Sequence, residues 1–304
     1  MPVITPTGAT LGARITGIDL AQPLSRANLA LILRALADHG VVCFPGQHLD
    51  PAAQAAFSRH FGTLEVHVSG AFLVPEHPEV MILSNIVEDG RPIGLADAGQ
   101  DWHTDMSFSR TIAFVNVLYA LKVPRRDGRV LGDTQFADMA AAHDDLPAAM
   151  QARLAGLTAT HDFAKFWDMM RARAGDGTAR KPLTEAQRRT KPPVSQPMVL
   201  THPLSGRKLL YANPGYTMHI DGLSAVESDA LLRFVFDHQV QPKYVHTHHW
   251  TEGDVLMWDN IRTMHNAMPD YGPDEHRLVR RCQAMADLVF TPAFARLADP
   301  VPVA

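Results

Sequence analysis

Histidine and aspartate stand two residues apart at four places in this chain, a spacing that can bind a metal ion. With 16 histidines among 304 residues, a His-x-Asp triplet is expected about once by chance, so the surrounding sequence must identify a functional pair. Asp50 and Asp145 each fit the N-cap of a predicted helix, and His219-Ile-Asp221-Gly222 fits a turn. The four pairs are His48/Asp50, His103/Asp105, His143/Asp145 and His219/Asp221.

His103 and Asp105 lie in an ungapped polar and aromatic stretch, Gln100 to Phe108, that leads into a predicted strand. On an extended backbone, residues two apart point to the same side, so both side chains can face one ion. A third ligand must come from elsewhere, and His265 supplies it. It follows an apolar strand that turns at Trp258-Asp259-Asn260.

Two histidines and one carboxylate on one face of a metal ion leave the opposite positions open. That arrangement suits Fe(II) enzymes, which must bind a co-substrate and oxygen together. Zinc on the same three residues would instead favour hydrolysis through a metal-bound water. His246-Thr-His248-His249 is a rival cluster, because His246 and His248 would share a strand face. The sequence offers it no nearby carboxylate, and a solvated edge strand explains it more simply.

The elements that must position these residues are mostly short strands with a few helices. We expect helices at 26–39 (ended by Gly40), from the Asp50 N-cap and Pro51 to about His60, at Leu146–Leu157 after Asp145, and at Ser224–His238 with a Ser224/Glu227 capping box. We expect strands at Val41–Phe44, Glu79–Ile86, Ile112–Leu121, Met198–Thr201, Lys208–Ala212, Gln239–His249, Asp254–Trp258 and Arg281–Val289.

The strands outnumber the helices and do not alternate with them, so an antiparallel α+β or β-sandwich architecture is expected. Residues 164–195 are polar, basic and punctuated by Gly and Pro, which predicts a long irregular excursion. It could be a mobile lid or a disordered surface insertion. We expect a single domain over residues 1–304.

The composition excludes several classes of protein. With 28 basic and 32 acidic residues, the formal charge of −4 argues against a nucleic-acid binder. Neither a membrane span nor a secretory signal is present, so we expect a cytoplasmic protein with no membrane partner. Cys43 and Cys282 lie in apolar contexts and are expected to be buried thiols in a reducing compartment.

Several motifs in the same order resemble the taurine dioxygenase/2,4-dichlorophenoxyacetate dioxygenase (TauD/TfdA) family of Fe(II)/2-oxoglutarate enzymes. The resemblance covers most of the chain and implies a double-stranded β-helix, or jelly-roll, core that is mainly β with flanking helices. The motifs are Gly8 to Leu20, Phe57-Ser-Arg-His-Phe-Gly62, Trp102-His-Thr-Asp-Met-Ser-Phe108, Gly132-Asp-Thr134, Thr201-His-Pro-Leu-Ser-Gly206, and Trp258-Asp-Asn260 followed by His265, Arg277 and Arg281.

The resemblance implies roles for individual residues. His103, Asp105 and His265 match the iron ligands, and Thr134 matches a threonine that helps to hold 2-oxoglutarate. Arg277 matches the arginine that pairs with the distal carboxylate of this co-substrate. Arg281 matches a second arginine, nearer the metal, that can contact an anionic group of co-substrate or substrate.

The loop from His265 to the first arginine is one residue longer here than the commonest family spacing. Strict spacing would select His276, which cannot form the two parallel hydrogen bonds that a guanidinium makes with a carboxylate. The preserved Arg-x-x-x-Arg pair and the strand that follows favour Arg277.

For the substrate, the resemblance matches His67 to a position that contacts an anionic group, and Phe163 and Tyr216 to aromatic walls of the pocket. A core aromatic residue or a surface histidine is the alternative for each. The residues before Trp102 differ from the taurine-specific pattern, while Asn85–Gly90 and Asp97–Gln100 are closer to the phenoxyalkanoate branch.

The chain is thus interpreted as a dioxygenase that uses Fe(II), 2-oxoglutarate and O₂ to hydroxylate a small anionic molecule of phenoxyalkanoate, sulfonate or carboxylate type. A zinc-type metallohydrolase and a non-catalytic jelly-roll binding protein are the alternatives. A homo-oligomer is expected, because symmetric dimers and tetramers are common among soluble enzymes.

Overall fold

The computed structural model describes residues 1–7, 10–67, 70–174 and 181–299. Strands are spread along the whole of this part of the chain. They are, in chain order, Val3–Pro6 (β1), Ala13–Thr16 (β2), Val41–Phe44 (β3), Leu73–Val74 (β4), His77–Ser84 (β5), Val87–Glu88 (β6), Arg91–Pro92 (β7), Ala113–Lys122 (β8), Arg125–Arg126 (β9), Arg129–Val130 (β10), Thr134–Asp138 (β11), Thr158–His161 (β12), Val194–Pro197 (β13), Val199–Thr201 (β14), Lys208–Leu210 (β15), Thr217–Ile220 (β16), Val245–His248 (β17), Val255–Asp259 (β18), Thr263–Ala267 (β19) and Leu278–Met285 (β20).

Several helices begin after residues whose side chains cap free backbone N–H groups. Asp50 Oδ1 accepts from Ala53 N at 2.7 Å, and Ser224 and Glu227 form the predicted capping box. The helices are Arg26–His39 (α1), Pro51–Ser58 (α2), Met139–Asp144 (α3), Ala148–Leu154 (α4), Phe163–Ala174 (α5), Glu185–Thr190 (α6), Ala225–Gln239 (α7) and Pro292–Ala295 (α8), with 3₁₀ turns at Arg59–Phe61, Pro242–Tyr244 and Arg296–Ala298.

A large, mostly antiparallel sheet runs in the order β1-β2-β3-β18-β8-β20-β5-β4. Its central strand β8 is buried on both faces, which explains its near-continuous apolar sequence. Alternate residues face opposite sides. Val115 and Val117 pack in one apolar cluster together with Leu33 of α1, whereas Leu118 packs in another, on the opposite face of the sheet. Each fully buried aliphatic side chain of this kind contributes roughly 1.5–3 kcal/mol.

A smaller sheet, in the order β17-β11-β19, packs against the second face of the large one. Phe136 of β11 contacts Trp258 of β18 with 5.3 Å between ring centroids. The turn predicted at Trp258-Asp259-Asn260 lies slightly later, at 260–262, because β18 continues through Asp259, and it carries the chain from the large sheet into β19 of the small sheet. His265 lies in β19, so this connection brings it to the space between the two sheets.

Two predicted elements near the surface are present but shorter than predicted. Asp145 does not begin a helix; it ends α3, whose N-cap is Asp138, and α4 begins only after Pro147. The strand predicted for Gln239–His249 is limited to Val245–His248, because α7 continues to Gln239 and a 3₁₀ turn follows.

The excursion predicted at 164–195 is more regular than expected, as far as the structure describes it. It contains most of α5, the whole of α6 and the start of β13, while residues 175–180 lie outside the described part. Whether the segment moves stays a prediction. Among the described helices, none is long and apolar enough to cross a membrane.

Candidate metal centre and the pocket around it

His103, Asp105 and His265 converge at one end of the space between the sheets. His103 and His265 form an antiparallel bridge in which each backbone N–H donates to the other residue's carbonyl, at 3.1 and 2.9 Å. His103 Nε2 lies 3.4 Å from Asp105 Oδ1, and His265 Nε2 lies 3.9 Å from Asp105 Oδ2. The backbone bridge therefore brings together two segments that are far apart in sequence.

The charges of these side chains suit a cation. Burial alone would raise the pKa of Asp105, but the hydrogen bond from His103 and the positive charge of Arg281 hold it well below its usual range. Burial lowers the pKa of His265, and neighbouring His103 lowers it further. The centre thus presents an ionised carboxylate and, at His265, a neutral imidazole, the protonation states that metal ligands require.

The donor geometry fits a first-row divalent metal. One ligand atom from each residue lies within 4.8 Å of the others, and ligands at about 2.1 Å from a shared ion are about 3 Å apart when adjacent. His103 Nδ1 is 2.8 Å from the Asp101 carbonyl, which orients the ring and leaves Nε2 to face the carboxylate. Two imidazoles and one carboxylate are the donors expected of a non-haem Fe(II) site.

Thr134 and Arg277, two of the residues matched to co-substrate binding, line the pocket beside this centre. Thr134 Oγ1 accepts a hydrogen bond from Trp250 Nε1 at 3.1 Å, so its own proton can be donated to an anion in the pocket. The Arg277 side chain forms no salt bridge with any described carboxylate, although the residue is only 6% exposed. His276 is half-buried and is not part of the pocket lining.

Arg281 reaches the metal centre itself. Its Nη1 lies 3.4 Å from Asp105 Oδ2, and its guanidinium forms part of the pocket wall. Arg277 directly precedes β20 and Arg281 lies within it, and both line the pocket. Both predicted arginines therefore face the pocket.

The three residues proposed for substrate contact also line this pocket: His67, Phe163 and Tyr216. Sequence reasoning missed their neighbours Met106, Phe108, Phe166 and Trp167, which complete an aromatic wall. Phe108 is 4.9 Å from Phe163 and 4.7 Å from Tyr216, measured between ring centroids. The i, i+3, i+4 spacing of Phe163, Phe166 and Trp167 was a helical signal that could have found them.

The rival histidine cluster does have carboxylates nearby, contrary to the sequence-based reading. His248 Nε2 lies 3.4 Å from Asp254 Oδ2, and His249 Nδ1 lies 2.7 Å from Asp133 Oδ2. His248, Asp254 and Cys43 could share an ion by distance. However, burial and the charge of Asp254 raise the pKa of the Cys43 thiol far above its usual range, which disfavours the thiolate that would bind metal.

Both cysteines are buried free thiols, as predicted. Burial also raises the pKa of Cys282, to about 12. Burial, and then the neighbouring His248, lower the pKa of His246 to about 4, which disfavours protonation of its imidazole.

The chain matches one family model, described as the taurine catabolism dioxygenase TauD, TfdA family, over residues 4–283. It is 34% identical over 301 residues to the alpha-ketoglutarate-dependent 2,4-dichlorophenoxyacetate dioxygenase of Cupriavidus pinatubonensis, covering 94% of this chain and 99% of that protein. It is also 34% identical over 278 residues to the (S)-phenoxypropionate/alpha-ketoglutarate-dioxygenase of Delftia acidovorans, covering 88% and 89% of the two chains.

A similar solved structure is that of AAD-2 in complex with Mn(II) and N-oxalylglycine. It superposes with a TM-score of 0.76 at 27% identity, covering 94% of this chain and 97% of that one. The mixed α/β architecture with a large sheet is therefore shared along almost the whole length of both proteins.

Proposed function

The chain belongs to the TauD/TfdA family of dioxygenases, and from this premise we propose that it hydroxylates a C–H bond of a small anionic organic molecule. As a member of this family it is an oxidoreductase that works with Fe(II), 2-oxoglutarate and O₂, and it releases succinate and CO₂. The observation that carries the proposal is a buried Arg277, which forms no salt bridge with any described carboxylate, in the same pocket as a buried His₂–Asp cluster.

His103, Asp105 and His265 would hold the iron. Fe(II), with 2-oxoglutarate and O₂, supplies the oxidant for C–H hydroxylation. A buried cation needs a counter-charge, and the distal carboxylate of 2-oxoglutarate provides one for Arg277. Thr134 would donate a hydrogen bond to the same dicarboxylate, and Arg281 would face an anionic group nearer the metal.

The aromatic wall opposite the centre would bind the apolar body of the substrate. Phe108, Phe163 and Tyr216 offer ring faces and edges that pack well against a flat or aliphatic group, and they exclude water from the reacting C–H bond. His67, at the edge of the pocket, is the proposed contact for the substrate's own anionic group. Relatives that act on 2,4-dichlorophenoxyacetate and phenoxypropionate support a phenoxyalkanoate-type acid as the leading candidate.

Several finer features stay proposals. The large sheet and the β17-β11-β19 sheet are consistent with a double-stranded β-helix, and we propose that residues 1–304 form one domain. The cytoplasmic location, the homo-oligomeric state and the role of 164–195 as a lid remain predictions.

The test is succinate release by purified protein supplied with Fe(II), 2-oxoglutarate and O₂. Phenoxyacids, sulfonates and acylated amino acids would be screened as substrates. Substrate-dependent succinate formation is the expected result. Hydrolysis of an added ester with zinc alone, without succinate under any condition, would instead favour the metallohydrolase.

A further inference from the structure

The two oxygens of the Asp105 carboxylate have different surroundings. Oδ2 accepts a hydrogen bond from Gln283 Nε2 at 2.9 Å and lies 3.4 Å from Arg281 Nη1. Oδ1 faces His103 Nε2 at 3.4 Å, whereas His265 Nε2 lies farther away, 3.9 Å from Oδ2. Gln283 and Arg281 are two residues apart on β20 and so project to the same side of the sheet.

Gln283 is itself held by a closed group of buried amides. Its Nε2 also donates to Asn116 Oδ1 at 2.8 Å, on the residue that lies directly opposite in β8. Asn116 Nδ2 contacts Asn260 Oδ1 at 3.4 Å. Asn260 then binds the backbone of Asp105 twice, accepting from its N–H at 3.1 Å and donating to its carbonyl at 2.8 Å.

These contacts form a ring: Asp105 side chain, Gln283, Asn116, Asn260 and back to the Asp105 backbone. Its members come from three strands or strand ends of the large sheet and from the loop that carries Asp105. Gln283 is 4% exposed and the two asparagines are fully buried, so water does not compete for these hydrogen bonds. Amide groups also carry no net charge, so the ring can be buried at modest cost once its hydrogen bonds are made.

We propose that Gln283 is a positioning residue that keeps Asp105 a one-oxygen ligand. By donating to Oδ2, it leaves Oδ1 for the metal ion and prevents the carboxylate from chelating it with both oxygens. A second bound oxygen would fill one of the positions that the co-substrate and oxygen need. This inference rests on the proposed role of Asp105 as an iron ligand.

The test measures two affinities by calorimetry: that of the apoprotein for Co(II), and that of the Co(II)-loaded protein for 2-oxoglutarate. Gln283→Met removes the donor but keeps an unbranched side chain of similar length. Gln283→Glu keeps the shape and replaces the donor with an acceptor. Loss of such an outer contact typically costs 10–100-fold in metal affinity or activity. We expect the 2-oxoglutarate Kd of the Co(II)-loaded protein to rise at least about tenfold in both variants, because a second Asp105 oxygen on the ion would occupy a position that the co-substrate needs. Co(II) itself should still bind, because chelation by both oxygens adds a contact to the ion.

Gln239→Met is the matched control, because Gln239 is a fully buried amide whose Nε2 donates to the Ala212 carbonyl, away from the metal centre. It should lower the melting temperature and leave both dissociation constants unchanged. A structural role alone for Gln283 would give the same pattern as this control. If either Gln283 variant folds and binds Co(II) and 2-oxoglutarate as the wild type does, the inference is overturned.

Asp105→Asn separates this inference from the proposed function. If the wild type binds no Co(II), or if Asp105→Asn binds it equally well, Asp105 is not a ligand and the proposed function fails. If Asp105→Asn loses Co(II) while the Gln283 variants bind 2-oxoglutarate as the wild type does, only the positioning role is wrong. Gln283→Asn, which keeps the amide but shortens the side chain by one methylene, should resemble Gln283→Met, because its donor no longer reaches Oδ2.

Discussion

The ring of Phe166 stacks on the imidazole of His103, with 4.7 Å between the ring centroids and 29° between the ring planes. Phe166 belongs to α5, the helix that also carries Phe163 and Trp167 into the pocket. The same helix therefore forms the proposed substrate wall and covers a proposed iron ligand. Packing of α5 and orientation of His103 are consequently linked.

Replacing Phe166 with leucine should weaken substrate binding more than co-substrate binding. Aromatic pairs are worth about 0.5–1.5 kcal/mol beyond simple burial, so we expect KM for the substrate to rise about two- to tenfold. Succinate release at varied substrate and varied 2-oxoglutarate gives the two KM values separately. Phe290→Leu, at a residue that is 50% exposed, is the control and should change neither. If the KM for 2-oxoglutarate rose more than the KM for the substrate, Phe166 would belong to the co-substrate site and not to the substrate site.

His103→Ala should abolish turnover because it removes one of three metal ligands. The residue is 2% exposed, so the truncation also leaves a cavity, and a loss of about 1–3 kcal/mol of unfolding free energy is expected. Calorimetry with Co(II), together with a urea denaturation curve, distinguishes the two effects. If the variant retained turnover and bound metal normally, His103 would not be a metal ligand.

Arg277→Ala should chiefly raise the KM for 2-oxoglutarate. Hydrogen bonds to charged groups contribute about 1.5–3 kcal/mol, so an increase of roughly 10- to 100-fold is expected. His276→Ala is the matched comparison, since strict family spacing would have selected that residue. We expect it to leave the KM nearly unchanged. The reverse pattern would show that the longer loop shifts the role to His276.

Acid should destabilise the protein through buried His161. Burial, then the nearby Lys165 charge, lowers the pKa of His161 to about 3, whereas the unfolded chain has a value near 6.5. Between these values the unfolded state binds the additional proton, so the stability present above pH 6.5 is lost as pH falls toward 3. The slope from this residue is about 1.4 kcal/mol per pH unit.

Urea midpoints measured from pH 7 to 5 test the His161 prediction. His161→Gln should flatten the dependence, because glutamine cannot take up the proton and can still bond Ser107 or Thr217, the two partners of the imidazole. His219→Gln, at an exposed position, serves as the comparison and should leave the slope as it is. An unchanged slope in His161→Gln would mean that other groups cause the acid sensitivity.

Local signals predicted the helix starts well, because a cap depends on residues three apart. Ser224 with Glu227 and Asp50 with Pro51 were sufficient to place α7 and α2. Asp145 failed because two aspartates flank the same short helix, and Asp138 occupies the N-terminal position. Asp145 ends that helix through its backbone N–H, and its carboxylate accepts hydrogen bonds from Lys243 and Tyr244, contacts that no local pattern reports.

Most of the candidate site was predicted from residues that lie in motifs, although Met106 and Phe108 were missed within one. Phe166 and Trp167 were not predicted to line the pocket, because their helical spacing lies in a segment whose overall composition is polar and basic. Gln283 was not predicted as a site residue for a different reason. Its partner Asp105 is 178 residues away, and no local pattern reports a contact that only sheet pairing creates.

The Arg277 guanidinium is buried and forms no salt bridge within the part of the chain that the structure describes, so its burial lowers the stability of the fold. Exchanging a buried charge for a well-packed apolar side chain is often neutral or stabilising by about 1–4 kcal/mol. Arg277→Met would be expected to raise the melting temperature of the protein and to weaken the proposed binding of a dicarboxylate. The proposed role of this arginine therefore comes at a cost in folding stability.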